Sequence, residues 1–184
     1  MRMPVIFIGH GSPMNAIEEN IYSRSWRKIG ESLPTPQTIL AISAHWTSHG
    51  ETLISKSAHP SMIYDVYGFP PELYQVQYPA PWEPSIAKII QHLIPNSRLV
   101  DRWIDHGAWS VLIHMFPDTN IPVVSMSIDI SATPEELFRI GKLLKPLRDQ
   151  WILIFGNGNI VHNLMQIDWN NVIQYPWAVE FDKR

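Results

Sequence analysis

Residues 38–46 read TILAISAHW. From Thr38 to Ser43 the run is almost continuously apolar rather than alternating, which suits a strand covered on both faces of a sheet. His45 stands at its end, and strand ends in an α/β sheet open onto the crevice where ligands bind. The pattern recurs twice: His10 follows PVIFIG (4–9), and His162 lies in the turn GNGNIVHN (156–163) beyond WILIF (151–155). Neutral imidazoles brought by three separate strands can converge on one metal ion.

Outward from this stretch, short apolar runs bounded by Gly, Pro, Asn or Ser read as further strands over 5–9, 53–57, 98–102, 122–128 and 151–155. Helical patterns fall between them at 23–33, 84–93 and 133–147. In the last of these Thr133 suits the N-cap, Glu136 completes a capping box, and Pro134 suits the first turn. The alternation is that of α/β layers. Residues 58–83 break it with six prolines, counting Pro84, set among Tyr64, Tyr67, Phe69, Tyr74, Tyr78 and Trp82, which reads as a wall or lid over a site. The closing PWAVEFDKR looks like the beginning of a helix.

A length of 184 residues suits one domain with a full-sized core. A hydrophobic fraction of 45% against 17% charged residues is that of an ordinary globular protein. A formal charge of -3 without a Lys or Arg run offers nothing to nucleic acid or to an anionic membrane. The first apolar run is too short for a signal segment or a spanning helix, so a cytoplasmic setting is expected. With no cysteine in the chain, any metal must be held by imidazole, carboxylate or water.

Each candidate also has a plainer reading. Gly9 and Gly11 let the chain turn so that His10 projects from its strand toward solvent, although Ser12-Pro13 would equally start a helix. His45, with Trp46 beside it and Ser43 available to its free ring nitrogen, could instead be a buried histidine satisfied by a carbonyl. Gly156 and Gly158 near His162 resemble a phosphate loop, but no GxGxxG pattern or Lys-Ser/Thr pair follows. In DHGAW (105–109), His106 beside Asp105 could be held in one tautomer as a general acid or base, or could be a loop histidine. His49, His59, His92 and His114 read as structural or exposed. Ser12 near His10 lacks a GxSxG elbow, so nucleophilic catalysis is disfavoured.

Taken in order, GHGSPM, SAHW, YPAP, DHGAW, PVVSMSID and GNGNIVHN resemble the class III extradiol ring-opening dioxygenases, in the 4,5-DOPA dioxygenase group, across essentially the whole chain. The resemblance implies a single α/β domain with a mixed central β-sheet flanked by helices. It implies opening of a catechol ring next to its hydroxyls with molecular oxygen, at Fe(II) for the activity, or with zinc bound as in bacterial members. His10 and His45 match metal ligands, and His162 matches a histidine at the metal that serves as ligand or as acid/base. His106 matches the histidine that faces the substrate. The family continues for roughly a further third of its length, through a PEHYLP-type segment whose histidine completes the metal site. Residues 1–184 therefore read as one catalytic-type domain shortened at its C-terminus, and the sheet edge this would leave open favours a homo-oligomer. Two other functions are compatible with the same residues: a zinc-dependent hydrolase in which His10, His45 and His162 activate water, and a non-catalytic metal-binding form.

Overall fold

The computed structural model describes residues 2–56, 61–168 and 172–184. Its elements in chain order are β1 (Val5–Gly9), α1 (Ile21–Ser32), β2 (Thr38–Ser48), β3 (Thr52–Ser55), α2 (Pro84–Leu93), β4 (Ser97–Val100), α3 (His106–Met115), β5 (Val123–Asp129), α4 (Pro134–Leu143), β6 (Ile152–Gly158) and α5 (Pro176–Asp182). Among the described residues the strands form one six-stranded sheet in the order β1-β6-β2-β5-β3-β4. The β1/β6, β6/β2, β2/β5 and β3/β4 pairs are parallel, and β3 meets β5 antiparallel at Ile54 and Met126, so the sheet is mixed, as the resemblance implies.

The apolar runs are continuous because both faces of the sheet are covered. Side chains alternate across a strand. Ile39, Ala41, Val123, Leu153 and Phe155 enter a core shared with Trp26 of α1 and with Ala108, Val111 and Leu112 of α3. Leu40, Val124, Met126, Ile152 and Ile154 enter the opposite core with Ala87 and Ile90 of α2 and with Leu144, just beyond α4. The α1 and α3 backbones approach closely at Gly30, where a Cβ would lie 2.7 Å from Met115 Cα and 2.8 Å from Met115 C.

Several boundaries differ from expectation for physical reasons. The 133–147 pattern ends as an α-helix at Leu143 and continues as a 3₁₀ turn over Lys145–Gln150, since Pro146 has no N–H to extend the ladder. The expected capping box is present: Thr133 Oγ1 accepts from Glu136 N at 3.2 Å, and Glu136 Oε2 accepts from Thr133 N at 2.7 Å. The run at 98–102 is a strand only over Ser97–Val100. The run at 53–57 is a strand over Thr52–Ser55, and Ser57 lies outside the described residues, as does His59. The reading of His106 as a loop histidine is corrected: it opens helix α3, whose N-cap is Asp105. Most of α3 is buried, so its sequence shows no polar stripe.

Of the proline and aromatic segment, 58–60 lie outside the described residues, and the remainder packs as a wall. Leu73, in a 3₁₀ turn over Pro71–Gln75, and Tyr78 are fully buried. Met62 bridges to Ile104, and Trp109 Nε1 donates to Ile63 O at 2.9 Å. Among the described residues, no helix is long and apolar enough to cross a membrane.

Candidate active site

The site lies where β1, β2 and β6 end and α3 begins. Between the pairs Ile42↔Met126 and Thr47↔Ile128, β2 advances five residues while β5 advances two, so residues 43–46 leave the β5 ladder, with Ser43 still paired to Asn157 of β6. That detour re-aims His45. Ser43 ties it down: its Oγ accepts from His45 N at 3.2 Å, donates to Asp105 Oδ1 at 2.7 Å, and lies 3.2 Å from Asn157 Oδ1 on β6. Ser43 thus holds the His45 backbone, not its ring. Gly107, in the first turn of α3, lets the helix close against these strand tips. A Cβ there would stand 2.9 Å from His45 Cδ2 and 3.1 Å from Ser43 Oγ.

His10 follows β1, with its N–H donating to Gly158 O at 3.3 Å and its carbonyl accepting from Asn15 Nδ2 at 3.1 Å. Gly11 takes a left-handed φ of 62°, and its N–H donates to Asn159 Oδ1 at 2.9 Å. The turn does not send the imidazole to solvent. His10 is only 1% exposed, because the tips of β2 and β6 and the start of α3 enclose it. The plainer reading of the same motif also holds, since Ser12 caps a 3₁₀ turn over Pro13–Ala16.

The structure brings the histidines together. His10 Nε2 lies 3.0 Å from His45 Nε2. The His106 ring centre is 4.0 Å from that of His45 and 5.4 Å from that of His10. One ligand nitrogen from each of the three lies within 4.8 Å of the others, a grouping that could hold a metal ion. His162 stands at the exposed rim, with its ring centre 5.7 Å from that of His45. Of the other histidines, His49 and His92 are exposed, and His114 Nε2 contacts Asn15 O at 2.7 Å, away from the cluster.

Burial, followed by the charges of His45, His106 and His162, pushes His10 down to about 3. Burial, followed by the charge of His106, pushes His45 down to about 4. Both rings are therefore neutral at pH 7, the form that binds metal. Two nitrogens bound to one cation at about 2.0–2.1 Å each stand about 2.9–3.4 Å apart for right-angle to tetrahedral geometry. The observed Nε2 separation fits that range, and an all-nitrogen set of this kind suits zinc or iron.

The carboxylate that accompanies His106 is not the one adjacent in sequence. Asp105 turns inward, where burial pushes its carboxyl up against the opposing bond from Ser43, and it caps α3 by accepting from Ala108 N. Asp65, from the proline and aromatic wall, reaches His106 instead. Its Oδ1 accepts from His106 N at 3.0 Å and lies 3.0 Å from the ring Nδ1, a close contact that lacks hydrogen-bond geometry. Sequence reasoning missed Asp65; its only signal was a lone acid in the stretch IYDVYGF. The aromatics of this wall are placed unevenly. Tyr64 packs 5.8 Å from Trp109, Phe69 joins the core, Tyr67 is 92% exposed and Trp82 is half-buried. Trp46 is buried under the Arg102 guanidinium, 5.3 Å from its ring centre. Gly156 and Gly158 belong to β6 beside Phe7 and form no phosphate loop.

Comparison with known proteins agrees with this geometry. The family described as the catalytic LigB subunit of aromatic ring-opening dioxygenase matches residues 4–184. The 4,5-DOPA dioxygenase extradiol of Escherichia coli (strain K12) is 45% identical over 187 residues, covering 99% of this chain and 69% of that protein. Its counterpart in Beta vulgaris is 36% identical, covering 96% of this chain and 69% of that protein. The crystal structure of an uncharacterized protein from Escherichia coli K12 superposes with a TM-score of 0.82 at 41% identity, covering 99% of this chain and 70% of that one.

Proposed function

Since the chain belongs to the LigB family of aromatic ring-opening dioxygenases, we propose that its substrate is a DOPA-like catechol, opened next to its hydroxyls at a single iron(II). The observation that carries this reading is the buried meeting of His10, His45 and His106 at the strand tips. His10 and His45 hold the metal, and a third nitrogen comes from His106 or His162. The one of these two left off the metal moves protons. Residues 1–184 act here as one catalytic-type domain.

When bound, the metal supplies a Lewis acid that favours the deprotonated catechol and brings it together with oxygen. The chain itself does the rest. Enclosure by β2, β6 and α3 keeps His10 neutral and dry, so its lone pair stays available at physiological pH. With His106 on the metal, His162, exposed at the rim, takes a hydroxyl proton from an entering catechol and returns it to the product, a role worth typically about 10²- to 10⁴-fold in rate. Both atoms of O₂ enter the product, so no external reductant is required.

The test is oxygen uptake by protein loaded anaerobically with Fe(II), offered L-DOPA and simpler catechols. One O₂ consumed per catechol, with a yellow semialdehyde product lost in His10→Ala and His45→Ala, is the expected result. Iron-loaded protein that consumes no oxygen with any catechol overturns the proposal.

A further inference from the structure

We propose that Asp65 is a positioning residue for His106, selecting the ring tautomer protonated at Nδ1 and leaving Nε2 as the available lone pair. A single carboxylate oxygen, Oδ1, accepts from the backbone N of His106 at 3.0 Å and stands 3.0 Å from its ring Nδ1, in a contact bent out of hydrogen-bond geometry. The two side chains are 26% and 7% exposed, so water screens the contact poorly. A bare Nδ1 lone pair at that distance from an anionic oxygen is repelled, whereas an Nδ1 proton is attracted. The bend in the contact does not remove this preference, and such bonds commonly tighten only when a site is engaged.

Asp65 is delivered on a fixed frame. Ile63 N donates to Ile104 O at 2.8 Å, Trp109 Nε1 donates to Ile63 O, and Tyr64 Oη donates to Val76 O at 2.5 Å, while Val66 is buried. The other nearby acid, Asp105, is committed to Ser43 and to the α3 N-terminus. A carboxylate behind one nitrogen fixes both the orientation of an imidazole and the basicity of the other nitrogen, whether that nitrogen binds metal or a proton. Only the catalytic consequence rests on the ring-opening reading; the tautomer does not.

The tautomer is read by two-bond ¹H–¹⁵N correlation on metal-free, ¹⁵N-histidine-labelled protein at mildly alkaline pH, with His106→Gln identifying the signal. The unaltered protein should show protonated Nδ1 and bare Nε2 at His106. Asp65→Asn should lose that pattern, and Asp65→Glu should restore it in part. In the iron-loaded enzyme Asp65→Asn should lower kcat more than it changes KM. An Nε2-protonated His106 in the unaltered protein overturns the proposal even if no variant folds, as does an Asp65→Asn spectrum identical to it. A protein inactive on catechols but with Nδ1-protonated His106 removes the ring-opening reading and leaves this one standing.

Discussion

Replacing Gly107 with Ala isolates how far the site depends on close backbone approach. The new Cβ would stand 2.9 Å from His45 Cδ2, 3.1 Å from Ser43 Oγ, and in collision with Asn157 Oδ1. Carbon atoms in ordinary contact are about 3.5–4.0 Å apart, so the His45 ring must retreat by roughly 0.6–1 Å. Cδ2 is bonded to Nε2, the atom 3.0 Å from His10 Nε2, so the retreat moves a ligand nitrogen directly. Overpacking of this kind costs about 1–3 kcal/mol. Because position 107 is helical, Ala also contributes up to about 1 kcal/mol over Gly. The expected net loss of stability, about 0–2 kcal/mol, is therefore modest. Metal affinity should fall further, by about 10- to 100-fold, the usual scale when the support of a ligand is disturbed. Urea unfolding gives the first quantity, and competition of zinc with a chromophoric chelator gives the second. A folded Gly107→Ala protein with unaltered zinc affinity refutes the reasoning.

Other consequences follow from the same coordinates. His10 and His45, at about 3 and about 4, lie below the unfolded value near 6.5, so the unfolded chain binds protons that the folded chain refuses. Stability of the metal-free protein should be complete above about pH 6.5 and fall by about 2–4 kcal/mol toward pH 4, the share of half-buried His45 being reduced by solvent screening, with His45→Gln flattening the slope in urea titrations; stability that rises on acidification contradicts it. Gly30→Ala would drive a Cβ into the Met115 backbone and should destabilise by about 1–3 kcal/mol despite the gain in helix propensity, seen as a lowered thermal midpoint. His106→Ala and His162→Ala separate ligand from proton carrier: substituting the ligand should weaken zinc binding sharply, and substituting the other should spare binding while slowing oxygen uptake. Equal effects of both substitutions on zinc would end that division of labour.

The parts of the fold legible in sequence were those in which burial on two faces writes itself as an unbroken apolar run, as in residues 38–43 and 151–155. The cap at Thr133 was legible because it is local chemistry. Helix α3 was not, since a helix buried nearly all round carries no polar stripe to give it a period. The approach of His10 and His45 followed from strand ends, whereas His162 stands at the rim and the place of His106 beside the other two depends on where α3 begins. The burial of His10 and the detour at 43–46 depend on neighbouring strands that no local pattern encodes. Asp65 was missed for the same reason: it reaches His106 across 41 residues, along a wall whose course only packing determines.

The absence of a side chain at position 30 also gives α3 a mechanical character. One end of this rod is pressed against α1 at Met115, and the other carries His106, about 14 Å away at the rise of an α-helix. Bulk inserted at position 30 must push the Met115 backbone away from α1, and a shift of α3 along its length is expected to reach His106 in diminished form. A graded series of substitutions at position 30, scored by zinc affinity, should change the binding constant in step with side-chain volume.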